Sequence, residues 1–529
     1  EASVPGSVYH DLLQAGKMED PYYRDNELKA LKIMEQDFVY ETLFEADEKI
    51  RKEEVQLLRF EGIDTLADIY LNEAHLAYVN NMHRIWEFLV NGLLKKGENS
   101  LRVVFHSPTR YIREMYEKNH VEGTSDAMRG FPSIRKAHCM FGWDWGAQLP
   151  DIGIWRDLYL ECYNAGRIED VVIRQKHTWK ERPQMGELSQ EEYIEAVEQS
   201  DTVSLSVEVK PEQDTNLENT KVIVTLTDPK GVQLEQVVLP TIKEAVCAEI
   251  LVAQPKLWWC NGLGNQPLYK VQVSLVDNNQ CVLDSKEYSI GLRELTVSTK
   301  KDEWGNEFAF VINGIHIFSM GADYIPEDCI YPWITKERIE ALIRSSVKAN
   351  YNMLRVWGGG YYPSDTFYDL CDQYGLIVWQ DLMYACNVYD FTEEFEKNIC
   401  QETVDNVRRL RHHASLGLWC GNNELESAWD HWGISETHSP LLKGDYIKQF
   451  EYVLPKVTKA EDHATFYWPS SPSSGGCLDN PDDHDRGDCH YWDVWHGMKP
   501  FSDYRSHYFR FCSEFGFQSF PERKTIDTF

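Results

Sequence analysis

Leu418-Trp419-Cys420-Gly421-Asn422-Asn423-Glu424 carries an apolar run straight into two amides and a carboxylate. Such a run reads as a buried strand whose end opens on a polar mouth. Tyr508-Phe509-Arg510-Phe511-Cys512-Ser513-Glu514 repeats the build and delivers a second carboxylate. Upstream of the first stretch the chain alternates strand with helix. Thr335 can cap a helix with Ile339, Leu342, Ile343 and Val347 on one face, and Met353-Leu354-Arg355-Val356-Trp357 follows as a strand. Ser364 opens the next helix, with Phe367, Leu370, Cys371 and Tyr374 on one side and Gly375 placed to end it. Leu376-Ile377-Val378-Trp379 is again a strand, and a helix after Thr392, using Phe395, Ile399, Val404 and Val407, leads to the strand ending near Glu424. This βα alternation predicts a parallel barrel or a doubly wound sheet. A barrel is preferred because polar residues gather at the strand ends: Asp323, Arg355, Trp357, Asp381, Asn423 with Glu424, His490 with Tyr491, and Glu514. Strands near His316, Met353, Leu376, Leu416, Thr465, His490 and Phe509 leave the last strand of an eight-stranded (β/α)8 TIM barrel missing.

Before residue 293 the rhythm is different. Residues 1–165 alternate short apolar runs with turns, as in Ala67-Asp68-Ile69-Tyr70-Leu71-Asn72 and Ser100-Leu101-Arg102-Val103-Val104-Phe105, which predicts a jelly-roll β-sandwich. Its unusual segment is Phe141-Gly142-Trp143-Asp144-Trp145-Gly146, two indoles flanking a carboxylate between glycines. That turn either points into a cleft or packs on its own domain's core. Residues 166–292 continue with alternating strands at 202–209 and 221–226 and a turn at Asp228-Pro229-Lys230-Gly231, as in an immunoglobulin-like β-sandwich. The polar, acidic stretch 180–200 reads as a solvated excursion, and the domain as a spacer without chemistry. Residues 293–529 form the barrel domain.

A chain of 529 residues is too long for one core. Eighty-five acidic against 53 basic residues give a net charge of -32, which repels phosphate backbones and anionic lipid, so neither nucleic acid nor membrane is an expected partner. The 17 tryptophans offer flat apolar faces to sugar rings, although core packing also uses them. Thirteen cysteines without regular spacing read as free thiols in a reducing compartment. With no basic apolar leader, no membrane-spanning run and no Asn-x-Ser/Thr sequon, the expected location is cytoplasmic. No cofactor is expected. Cys477, His484, Cys489 and His490 are too irregularly spaced to read as a metal site.

Two glutamates at strand ends suit glycoside hydrolysis. The fourth and seventh strands of an eight-stranded barrel face each other, which brings Glu424 and Glu514 within about 5 Å, the separation of a retaining mechanism. Glu514 is then the nucleophile. Glu424, kept protonated by the nearby negative charge, is the acid and later the base. Asn423 is placed to bond the sugar's 2-hydroxyl, and Arg355 to hold a carboxylate ionised. A glutamate at a strand end is more often a surface residue or salt-bridge partner, so the pair together with its rim carries the reading.

Trp419-Cys420-Gly421-Asn422-Asn423-Glu424 resembles the acid/base motif of glycoside hydrolase family 2, and Ser513-Glu514-Phe515-Gly516 resembles its nucleophile strand. Within that family the 141–146 segment with Gly153-Ile154-Trp155, and Arg355-Val356-Trp357-Gly358-Gly359-Gly360, are similar to the β-mannosidases, as are Val4-Pro5-Gly6-Ser7-Val8 and Trp379-Gln380-Asp381. The resemblance implies a sugar-binding jelly roll lacking its first strand, an immunoglobulin-like sandwich and a catalytic barrel. It implies a retaining exo-enzyme that removes terminal β-D-mannose from oligosaccharides or glycoconjugates. Asp144 and Trp143 would reach the terminal-sugar subsite, Trp357 would line it, and Tyr491 and Trp492 lie on a strand that supplies further pocket residues. The chain departs from the family pattern at Asp323-Tyr324, where Asn-Trp is common, and at Ala147, where proline usually follows the tryptophan loop. Other exo-specificities of the family (β-galactosidase, β-glucosidase, β-glucuronidase) and a non-catalytic glycan-binding relative are the alternatives.

Overall fold

Along Gly97–Phe105 burial alternates residue by residue, with Asn99, Leu101, Val103 and Phe105 inward. This period-two pattern builds the first β-sandwich. One sheet holds four strands in the order Phe38–Ala46, Gly97–Phe105, Leu66–Leu71, Ala74–Asn80, and the other holds Trp86–Leu89, Val55–Phe60 and Leu158–Tyr163. Phe60, Ile69, Val79, Val103 and Phe105 fill the space between. The computed structural model describes the whole chain except residues 122, 165, 184, 185, 187, 213–216, 218, 242 and 243.

The second sandwich repeats the principle. Asp201–Pro211 buries every other residue and pairs with Ile168–Trp179 and Val246–Ala253. The facing sheet runs Gln233–Pro240, Lys221–Thr227, Tyr269–Val276, Val282–Ile290. Here one expectation is corrected. Of the stretch read as a solvated excursion, Gln190–Ser200 is a helix with a Ser189/Glu192 capping box. It buries Tyr193 and Val197, four residues apart on one face, in this domain's core.

The remaining chain begins with an antiparallel sheet of Leu295–Ser298, Ala309–Ile312 and Ile315–His316, so the strand expected near His316 belongs to this hairpin and not to the parallel series. Phe308 and Phe310 project from it against Trp379 and Phe511, with Phe308 also on Trp468, and close the floor beneath the parallel strands. Five parallel strands then follow as sequential neighbours: β1 (Gly321–Tyr324), β2 (Met353–Val356), β3 (Ile377–Asp381), β4 (Leu416–Cys420) and β5 (Phe466–Trp468). A parallel pair, β6 (Cys489–Tyr491) and β7 (Cys512–Phe515), completes the set. β2, β3 and β4 are buried at every position, as parallel strands covered on both faces must be.

Helices α1 (Lys336–Lys348), α2 (Asp365–Tyr374) and α3 (Glu393–Leu410) lie between these strands. Thr335 and Thr392 cap α1 and α3 through their side chains, and Gly375, at φ 76°, ends α2. The expected face of α2 is inward, and on α3 Ile399 and Val407 are buried with Phe395 packed against them, while Val404 is only half-buried. On α1 Ile339 and Ile343 are buried while Leu342 is exposed. Among the described residues no helix is long and apolar enough to cross a membrane.

The first sandwich is bolted to the mouth of the parallel strands. Arg135 forms a bidentate pair with Glu402 of α3 at 2.6 and 2.9 Å and donates to the Met383 carbonyl. Asn81 donates to Glu402 as well, Arg156 to the Tyr362 carbonyl, and Tyr331 to Asp64, which also meets Lys136. Trp258, Trp259, Trp379 and Trp419 are fully buried, so much of the tryptophan excess is core.

Candidate active site

The strand ends converge on two carboxyls. β4 delivers Asn423 and Glu424 just past Cys420, and Glu424 sits at φ 64° in the left-handed region. A non-glycine residue held there costs about 1–3 kcal/mol and persists only where its surroundings over-determine it. Here the Glu424 N–H donates to the Ser471 carbonyl at 2.7 Å, and the side chain is held by three partners. His490 Nδ1 lies 2.8 Å from Oε1, while Cys386 Sγ (3.1 Å) and Asn423 Nδ2 (3.3 Å) reach Oε2.

Glu514 comes from β7, in register with His490 on β6. It accepts from Arg355 Nη1 at 2.6 Å and from Trp492 Nε1 at 3.1 Å, and its Oε2 stands 3.3 Å from His490 Nδ1. Carboxylate oxygens of Glu424 and Glu514 and a ring nitrogen of His490 all lie within 4.8 Å of one another. The separation expected from the sequence is therefore met.

Arg355 acts as a support. Beyond Glu514 it binds Asp381 through Nε and Nη2, donates from Nη2 to Asn423 Oδ1 at 2.7 Å, and stands 3.5 Å from Asp323. Asn423 thus keeps only its Nδ2 on the acid's side, bonded to Cys386 Sγ at 3.2 Å as well as to Glu424. Asp381 also takes the Trp379 indole and Gly358 N–H groups. Asp488 ties β5 to β7, accepting from the Trp468 indole, Ser471 and Ser513.

The acids outnumber the cations here, so the protons redistribute. Burial by itself lowers the His490 imidazole, but the Glu514 charge and the Glu424 hydrogen bond push it up to about 9. Burial raises Glu424, yet its bond to the imidazolium brings it below the ordinary carboxylate range. Burial raises Glu514, only partly offset by His490 and Arg355. Burial and the Glu514 charge hold Asp323 well above its usual value. The imidazole between the carboxylates, a counter-charge the sequence reading lacked, thus draws the proton toward His490 and favours an ionised Glu424. Its Nδ1 is one 2.8 Å hydrogen bond away from Glu424 Oε1.

The tryptophan segment resolves in favour of the cleft. Phe141–Trp143 and Gly146–Gln148 pair as a short hairpin, with Gly142 at φ 101° where a Cβ would strike the Gln148 side chain. Trp143 and Trp145 pack on Trp357, at the end of β2, with ring centroids 4.8 and 5.5 Å apart, and Trp143 also touches Phe131 of its own domain. Asp144, its side chain 33% exposed, lies 3.8 Å from His496. Burial, then the Asp126 charge, raise its pKa.

Tyr491 is not at the site. Alternation along β6 turns His490 and Trp492 toward Glu514 and Tyr491 away, onto Asp503, His507 and Phe509. Cys489 meets the Asp483 carbonyl, His484 meets the Phe509 ring edge-on, Cys477 is exposed, and His490 joins the carboxyls, so these four follow separate partners. Sequence reasoning passed over Cys386, which lies in a loop after β3 with no periodic signal.

Residues 1–156 match the family described as "Glycosyl hydrolase 2 galactose-binding domain-like", and residues 192–293 match "Glycosyl hydrolases family 2". The chain is 33% identical over 542 residues to "Beta-mannosidase B" of Aspergillus terreus, covering 100% of this chain and 61% of that protein. The Aspergillus oryzae protein of the same name is 34% identical, with 99% and 61% covered. A β-D-mannosidase structure from Dictyoglomus thermophilum superposes with a TM-score of 0.86 at 34% identity, over 100% of this chain and 62% of that one. The chain thus spans about three fifths of the length of these relatives. An exo-chitosanase structure from Amycolatopsis orientalis, TM-score 0.60 at 18% identity over 89% of this chain and 49% of that one, shares the fold.

Proposed function

We propose that the chain, whose residues 1–156 and 192–293 match glycoside hydrolase family 2 models and whose relatives are β-mannosidases, carries the catalytic site of a retaining exo-β-mannosidase acting on terminal β-D-mannose of oligosaccharides or glycoconjugates. The observation that carries the mechanism is the pair of carboxyls within 4.8 Å on either side of one histidine nitrogen. Retaining glycosidases hold their two carboxyls about 5–5.5 Å apart, whereas inverting ones need roughly 6.5–9.5 Å to admit a water. The sugar assignment is supported by the mannosidase relatives.

Glu514 attacks the anomeric carbon, and the glycosidic C–O bond breaks as the Glu514–sugar ester forms. Arg355 keeps the attacking oxygen ionised until then. The proton passes from His490 Nδ1 to Glu424 and on to the departing oxygen. In the second half Glu424 takes a proton from water as the water oxygen replaces Glu514 at the anomeric carbon, and returns it to His490 Nδ1. Asn423 turns one Nδ2–H from Glu424 to the sugar's 2-hydroxyl when substrate binds, Trp143 and Trp357 wall the subsite, Trp492 braces Glu514, and Asp144 binds hydroxyls remote from the reacting carbon.

The same reading takes the first sandwich as a jelly roll, residues 166–292 as immunoglobulin-like, and the parallel strands as seven of a (β/α)8 barrel. Free cysteines throughout support a cytoplasmic setting.

The test is the stereochemistry of aryl β-mannoside hydrolysis followed by proton NMR. The β-anomer is expected as first product, and turnover of the mannoside above that of the galactoside and glucuronide. A first-formed α-anomer would overturn the mechanism, and preference for either other sugar would overturn the specificity.

A further inference from the structure

Cys386 is buried, and it is a non-glycine residue held at φ 55°. Its N–H donates to the Asn423 carbonyl at 3.0 Å, while its own carbonyl accepts from Thr124 of the first sandwich at 2.8 Å. Two domains therefore fix the backbone from which the thiol projects. Sγ lies 3.1 Å from Glu424 Oε2 and 3.2 Å from Asn423 Nδ2, so it donates to one and accepts from the other. On its remaining side it packs with Cys139 and Trp357 in the cluster that also takes Trp143.

We propose that Cys386 is a positioning residue of the acid/base. Its S–H anchors Oε2 of Glu424, so that Oε1 is the oxygen presented to His490 and to the leaving group, and its lone pair fixes the Asn423 amide in the same operation. Burial and the Glu424 charge keep the thiol well above its usual pKa, so it stays a neutral donor and not a nucleophile. A serine hydroxyl fits the same space and can make both bonds; alanine makes neither. The inference rests on the acid assignment of Glu424.

The experiment uses the full chain with Cys386→Ala, Cys386→Ser and Glu424→Ala, measuring kcat/KM against pH on aryl β-mannosides with a poor and with an activated leaving group. Only the poor leaving group needs a well-aimed proton. Cys386→Ala is expected to lose about tenfold on the poor leaving group and under about threefold on the activated one, the cost of one hydrogen bond to a charged group. Its basic limb should move to higher pH, because a bond that favours the carboxylate has gone. Cys386→Ser should restore both. Equal losses on the two substrates with an unshifted profile, or no loss at all, would overturn the proposal. If Glu424→Ala shows no leaving-group dependence, the acid assignment itself falls, and the proposal with it.

Discussion

Glu402→Gln removes one charge from a pair that water does not reach: the Arg135 and Glu402 side chains are 3% and 1% exposed. The guanidinium would keep its bond to the Met383 carbonyl and its place over the Tyr384 ring, but its counter-charge would be gone. An uncompensated buried charge costs ~3–5 kcal/mol, whereas replacing both partners by apolar side chains is often close to neutral. Glu402→Gln should therefore lower the unfolding free energy by roughly that amount, and Arg135→Met combined with Glu402→Met should recover most of it. The readout is urea unfolding of the single and double variants as a cycle, followed by tryptophan fluorescence. The pair also anchors the segment carrying the 141–148 hairpin, so activity on mannosides should fall with stability in Glu402→Gln and return in the double variant. A Glu402→Gln protein with the wild-type midpoint and slope would refute the view that this seam depends on the pair.

Two further outcomes follow from the same reasoning. Burial pushes Glu426, beside the acid, up to about 8, with Tyr446 bonded to it at 3.0 Å. An acid raised on folding weakens the native state as pH climbs from its unfolded value to its folded one, so wild type should lose stability between pH ~4.5 and 8. Glu426→Gln should be more stable by roughly 3 kcal/mol at pH 7 and converge with wild type below pH ~4, and parallel unfolding profiles would refute this. Asp144→Ala should cut kcat/KM on mannosides roughly 100-fold, the loss of charged hydrogen bonds to substrate, and leave the unfolding midpoint unchanged; a change under about threefold would remove Asp144 from the subsite.

What the sequence made legible depended on periodicity. Val203, Leu205, Val207 and Val209 alternate cleanly and are all buried, and α2 declares its face through Phe367, Leu370 and Cys371. Glu424 and Glu514 were readable because an apolar run ending in a carboxylate is an uncommon pattern. Gln190–Ser200 escaped because its acidic surface hides the two buried residues that dock it. The first parallel strand was placed too early because β1, Gly321-Ala322-Asp323-Tyr324, is only four residues long and carries no apolar run, unlike the hairpin before it. Tyr491 was misassigned because a one-residue shift reverses the face, which no local signal fixes. The raised basicity of His490 and the placement of the Cys386 thiol depend on contacts between separate strands and loops, which no single stretch of sequence records.

The hairpin at 141–148 enters the cleft from a sandwich whose own core, around Phe60 and Phe105, contains neither reacting carboxyl. On the proposed reading, recognition and chemistry thus rest on separately cored supports. Natural variation that re-aims this hairpin can then redraw which sugar is admitted without disturbing Glu424, His490 and Glu514, and an inherited catalytic apparatus can be lent to a new substrate by changes in another domain.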